Sequence, residues 1–146
     1  MEYSEMSEFE QQAVDFLKES GATMKIEFKR TRMGFPGEDP EDPKTMPHRE
    51  YKVTIERNGM SYSFDFYGSY HQYRQKEDPT EYDVLACLEK YDVGSMADFV
   101  DEFGYVIKDR KSFLTVEKIW QSCKSQYRTL KKMFGEELME KLCEIN

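Results

Sequence analysis

Tyr51-Lys52-Val53-Thr54-Ile55-Glu56-Arg57-Asn58-Gly59-Met60-Ser61-Tyr62-Ser63-Phe64-Asp65-Phe66 is the stretch from which the architecture follows. Asn58 and Gly59 both tolerate positive φ, so they favour the type I′ turn, whose twist matches that of the strands it joins. A two-residue turn there sets Ile55 opposite Tyr62, Val53 opposite Phe64 and Tyr51 opposite Phe66, all on one face. The other face sets Lys52 opposite Asp65 and Thr54 opposite Ser63. Every pair agrees in polarity, and a slip of one residue would turn the aromatics into water. A β-hairpin with one buried face is expected.

Upstream, Met24, Ile26 and Phe28 alternate with Lys25, Glu27 and Lys29, the period of a half-buried strand. Before it, Ser7 and Glu10 have the spacing of a capping box. Phe9, Ala13, Phe16 and Leu17 recur at helical spacing and Gly21 is a stop, which predicts a helix from about Glu8 to Glu19. Between strand and hairpin lies a loop from Gly34 to Pro47. Its prolines Pro36, Pro40, Pro43 and Pro47 oppose regular pairing, and its acids Glu38, Asp39, Glu41 and Asp42 keep it wet. Those acids lack the position pattern of an EF-hand, so a solvated run is expected rather than a calcium site.

Downstream, residues 68–78 read as irregular. Tyr67, Tyr70, His71, Tyr73 and Arg74 are a mixture suited to packing or to a protein interface. Asp78 as a cap and Pro79 at the first helical position open a short helix carrying Tyr82, Leu85 and Leu88. Gly94 breaks it, Ser95 caps again, and Met96, Phe99, Val100 and Phe103 form another until Gly104. A long helix from near Ser112 carries Phe113, Val116, Trp120, Cys123, Tyr127, Leu130 and Phe134 as a continuous seam. Gly135 ends it, and a last helix over Glu136–Glu144 presents Leu138, Leu142 and Ile145. The fold class expected is α+β over residues 1–146: an N-terminal helix, a three-stranded antiparallel sheet, then about four helices. The shorter helices carry complementary apolar stripes, which favours the seam as buried core. The seam and the hairpin edge each also offer a surface for a homodimer.

Charge divides sharply in the helical half. From Asp78 to Glu102 eight acids face Lys90 alone; from Tyr105 to Lys132 eight bases face Asp109 and Glu117. The net charge of −8 argues against general adhesion to nucleic acid or anionic membrane and suits docking onto a basic surface. No apolar run approaches the ~20 residues of a membrane span, and no signal-peptide pattern opens the chain, so a cytoplasmic location is expected. Cys87, Cys123 and Cys143 sit beside apolar residues in helices and are expected to be buried small hydrophobes. The two histidines, His48 and His71, lie in separate predicted loops without metal-ligand spacing, and there is no Gly-rich phosphate cradle or nucleophile elbow. Neither metal, cofactor nor enzymatic activity is expected.

The run Pro79-Thr80-Glu81-Tyr82-Asp83-Val84-Leu85-Ala86-Cys87-Leu88-Glu89-Lys90-Tyr91-Asp92, with Phe99, Glu102, Phe103, Gly104 and Tyr105, resembles small proteins carried by phages and mobile elements of gut bacteria. Lys118-Ile119, Tyr127-Arg128, Phe134-Gly135 and the Ile55–Gly59 hairpin fit as well, so the resemblance covers most of Thr23 to Asn146. Such accessory proteins include anti-CRISPR inhibitors. The resemblance implies a non-enzymatic protein that binds a host protein with a basic surface, a Cas nuclease for example, and blocks its DNA binding. A basic channel built for a polyanion accepts carboxylates in place of phosphates. The residues expected to do this are Asp83, Glu89, Asp92, Asp98, Asp101 and Glu102, with Glu38, Asp39, Glu41 and Asp42 beside them. The alternative is nucleic-acid binding through the basic helix 112–134, with Lys124, Arg128 and Lys131 opposite the seam.

Overall fold

The computed structural model describes residues 2–34, 39–45, 47–67 and 79–144. The expectations for Glu38, for Tyr70, His71, Tyr73 and Arg74, for Asp78 as a cap and for Ile145 fall outside the described residues. A 3-10 turn at Tyr3–Glu5 precedes helix α1 (Glu8–Glu19) and strands β1 (Ala22–Met33), β2 (Pro47–Arg57) and β3 (Met60–Tyr67). Helices α2 (Glu81–Glu89), α3 (Met96–Phe103), α4 (Arg110–Phe134) and α5 (Glu136–Cys143) follow. The fold is α+β, and the sheet is antiparallel in the order β1-β2-β3.

The hairpin has the expected register, with Ile55, Val53 and Tyr51 opposite Tyr62, Phe64 and Phe66. Asn58 and Gly59 turn it at φ of 52° and 79°. The first two strands extend further than their apolar alternation announces. β1 pairs with β2 as far as Met33↔Pro47, carried past Phe28 by a bulge before Arg30. Pro47 opens β2 rather than closing a loop, since a proline is tolerated at the first residue of a strand. His48 is consequently buried in β2, not placed in a loop.

The bulge also redirects charge. Glu50 is 1% exposed, and its carboxylate takes Arg30 Nε at 2.6 Å and Lys29 Nζ at 3.8 Å. Lys29 reaches on to Asp65 Oδ1 at 2.9 Å, so Asp65 bonds the bulge lysine although it stands opposite Lys52. A buried carboxylate is tolerated when it is paired and hydrogen-bonded in this way.

One face of the sheet buries Val53, Ile55, Phe64 and Phe66 against Ala13, Phe16 and Leu17 of α1 and against Val84, Leu85 and Leu88 of α2. Leu130, Met133 and Phe134 at the end of α4, with Met139 and Leu142 of α5, complete that core. Arg57 binds the elements at their ends: its Nε donates to the Ser20 carbonyl at 2.8 Å and its Nη1 to the Met133 carbonyl at 2.7 Å. Cations are favoured where helix carbonyls go unmet.

At 25 residues α4 is about 37 Å long and outreaches the sheet core. Its first half packs with α3 in a second cluster, Phe99 against Val116 and Cys123, ringed by Tyr91, Met96, Phe103 and Trp120. The seam is therefore core from Val116 to Phe134, as expected, whereas Phe113 at its start is exposed. The helix begins at Arg110, two residues before Ser112. Asp109 caps it by accepting from the Ser112 N–H at 2.8 Å, which makes Ser112 the third residue of the first turn. Likewise Thr80 caps α2 and Pro79 lies before that cap, because Thr80 and Asp83 form a reciprocal capping box.

Candidate functional site

The expected carboxylates do not form one patch; the fold sorts them into separate groups. Asp83 is spent on structure, its Oδ2 accepting from the Thr80 N–H at 2.8 Å. Glu89 and Asp92, at the end of α2, lie against the tyrosine of α4 and the cysteine of α5. Burial and then the Asp92 charge push the Tyr127 hydroxyl up to about 12. Burial, with the charges of Glu89 and Asp92, pushes the Cys143 thiol up as well. Cys143 is nonetheless exposed as a residue, contrary to the burial expected of it.

The third group is the one that faces outward together. Asp98, Asp101 and Glu102 project from α3 at i, i+3 and i+4, neighbours on one helix face. All three residues are exposed. Ser95 positions the turn by accepting from the Asp98 N–H at 3.2 Å. Phe99, 1% exposed and held by Val116 and Cys123, fixes the opposite side of α3 to α4. Glu102 takes Lys90 Nζ at 3.4 Å, tying the ridge to the end of α2. Among the described residues the bases of α4 make one ion pair, Lys131 to Glu136 at 3.7 Å, and none to α3. The long basic helix thus makes no ion pair with the α3 carboxylates, of which Glu102 is already paired to Lys90.

The loop acids go elsewhere. Asp39 Oδ1 accepts from the Glu41 N–H and Asp42 Oδ1 from the Lys44 N–H, each at 2.9 Å. These are successive Asx turns, closed by the Thr45 hydroxyl on the Asp39 carbonyl at 2.5 Å. Over 39–45 the chain is built rather than a plain linker, and Asp39 and Asp42 serve its own backbone.

The bases expected to meet nucleic acid are also divided. Lys124 Nζ sits 3.9 Å from the centroid of the Trp120 ring, and Lys131 is in its ion pair, which leaves Arg128 on the exposed surface. The other end of α4 lies outside the expected site residues. There Arg110, Lys111 and Lys118 stand around Leu114 and Thr115 and bound a shallow recess of about 420 Å³. Its sequence signal is Arg110-Lys111 four residues ahead of Leu114-Thr115, on the face of the helix away from the seam.

Between α2 and α4 the Tyr91 hydroxyl and the thiols of Cys87 and Cys123 interact as one buried group. Burial raises all three, Cys123 from 9.0 to about 12. Neutral forms are favoured by the fold, so this cluster's contribution to stability is complete below about pH 9 and is lost as pH rises through about 12. A denaturation midpoint that falls across that interval is the expected result. The same burial makes these thiols poor nucleophiles. Reaction with an aromatic disulfide reagent at pH 8 should modify Cys143 first and reach Cys87 and Cys123 only on unfolding. Three equally fast thiols in the native protein would contradict it.

Among the described residues no group of three His, Cys, Asp or Glu side chains is placed to hold a metal ion, and no helix is long and apolar enough to cross a membrane. Comparison with protein-family models, with curated proteins and with solved structures finds no match to this chain.

Proposed function

We propose that this chain works by binding rather than by catalysis. Its α3 ridge docks onto the basic, nucleic-acid-holding surface of a host defence nuclease and inhibits it, as an anti-CRISPR protein of a phage or mobile element would. Asp98, Asp101 and Glu102 are the central contacts; Asp92, engaged with Tyr127, is not among them. The observation that carries the reading is the pairing pattern: three adjacent exposed carboxylates, with eight bases following in sequence and none of the described α4 bases turned onto them. Carboxylates left available in this way meet arginines through charge-assisted, often bidentate bonds, the contacts such a nuclease makes to phosphate. The resemblance to phage-borne proteins supports the choice of partner. Asp83, Glu89, Asp39 and Asp42 contribute to the overall negative field and to the scaffold, and direct contact falls to the ridge.

The test is competition. A purified RNA-guided Cas nuclease from a gut bacterium is titrated with the chain, and capture of its target DNA duplex is followed by fluorescence anisotropy. Stoichiometric loss of DNA binding is expected. Undiminished DNA capture at tenfold excess of the chain over nucleases of several types would remove the proposal.

A further inference from the structure

We infer that the projecting first half of α4 is a second docking surface, which takes a short acidic peptide segment bearing an aliphatic or aromatic side chain. Arg110, Leu114 and Lys118 follow one another at i, i+4 and i+8, and Lys111 with Thr115 forms the adjoining row. The three cationic side chains rise around an apolar floor, and the recess they bound is open to solvent. Among the described residues none of the three is within ion-pair distance of a carboxylate; the adjacent Asp109, its carboxyl held low by its hydrogen bonds to Ser112 and then by the Lys111 charge, is committed to the α4 cap. Leu114, the apolar residue of the floor, is 42% exposed. Apolar side chains beside unpaired cations are the composition of an interface rather than of a solvated charge run.

Charge and length together select the occupant. From Arg110 to Lys118 the row spans about 12 Å, the reach of roughly four residues of extended chain. Three cations match two or three carboxylates over that distance, and the Leu114 floor matches one apolar side chain between them. A nucleic acid would extend beyond the recess into the field of a chain whose net charge is −8, and its phosphates would leave Leu114 without apolar contact. An anionic bilayer would meet the same repulsion over a wider area. A short acidic peptide meets that field over the recess alone and sets its apolar side chain on Leu114. This surface is separate from the α3 ridge and carries the opposite charge, so the chain can hold two partners or two segments of one.

The probe is the fluorescein-labelled, C-terminally amidated hexapeptide Ser-Glu-Leu-Asp-Glu-Ser, with three carboxylates and one apolar side chain, followed by anisotropy against the intact chain at 50 mM salt. Saturable one-site binding is expected. The variant R110E/K111E/K118E should weaken it at least tenfold and L114Q several-fold, whereas D98K/D101K/E102K should bind the peptide at least as well as the unaltered chain. Circular dichroism melts establish that each variant is folded, and these exposed positions give no reason for loss of structure. Absence of saturable binding, or equal binding by the folded R110E/K111E/K118E variant, overturns the inference. So does tighter binding of a 12-nucleotide single strand, or of phosphatidylserine vesicles, that displaces the peptide. Sedimentation supplies the last arm: a dimer abolished by R110E/K111E/K118E assigns the recess to a second copy and overturns the peptide reading.

Discussion

Phe134→Ala lowers the unfolding free energy by about 3–5 kcal/mol, the range for truncating a large buried aromatic. In a domain of this length that moves the thermal midpoint down by ~10 °C. Phe134 is 5% exposed at the C-terminal end of α4 and stacks on Phe16 of α1 with ring centroids 5.8 Å apart. The Arg57 guanidinium lies 5.7 Å from the same ring while it donates to Ser20 and Met133. One side chain therefore touches α1, α4 and the end of β2. Truncation removes the ring stack and the cation–π contact and leaves a cavity where three elements meet. Phe134→Leu, which keeps most of the volume, should cost clearly less. Because α3 is held through Phe99 by the far half of α4, loss at Phe134 also loosens the anchor of α3. Chemical denaturation of the two variants measures the effect; a cost under 1 kcal/mol for Phe134→Ala would mean that α4 is held to the sheet elsewhere.

How much could be read from the sequence depends on whether a feature is local. The hairpin register was legible because the turn chemistry at Asn58-Gly59 and the polarity of each cross-strand pair demand the same alignment. The seam was legible because seven apolar positions at alternating spacings of three and four leave one helical face to bury. Extension of β1 and β2 to Met33 and Pro47 was not, since it depends on a bulge at Lys29 and on Arg30 and Lys29 meeting Glu50 across the strands. The caps at Thr80 and Asp109 are not legible for a related reason. Asp78 and Ser112 have equally suitable side chains, and the choice between neighbouring caps rests on which backbone N–H groups the fold leaves open.

The candidate site was legible in composition and not in distribution. Eight acids within 25 residues announce a negative surface, but the sequence does not say which of them the chain will use for itself. Asp83 closes a capping box, and Asp39 and Asp42 close Asx turns; Glu102, by contrast, keeps its exposure while bonding Lys90. Those assignments follow from backbone geometry, which for a carboxylate within three residues of an open N–H is local. Whether α4 neutralises α3 is a tertiary matter, set by how Phe99 orients the short helix against Val116.

Reversing the α3 ridge gives the largest functional effect expected of any surface change here. In D98K/D101K/E102K, three contacts to a basic partner turn from attraction to repulsion. Truncating one member of a buried interfacial charge pair costs about 2–5 kcal/mol. Even if solvent screening reduces each contact to a fraction of that, affinity should fall by at least ~100-fold, and inhibition should be lost at stoichiometric concentrations. The fold should survive, because all three side chains are exposed and the bond that sets the α3 cap uses the backbone N–H of Asp98. The loss of the Lys90–Glu102 contact is a surface ion pair worth at most ~1 kcal/mol. Lysine at position 98 also meets the positive end of α3, a further cost of a few tenths of a kcal/mol, so D98N/D101N/E102Q provides a neutral companion. The neutral variant should retain part of the affinity with a slower association rate and a weaker salt dependence, since steering scales with charge. K124E/R128E/K131E should inhibit as well as the unaltered chain. A folded D98K/D101K/E102K variant that still inhibits would place the working surface elsewhere on the molecule, and the free cations around Leu114 would then be the first place to look.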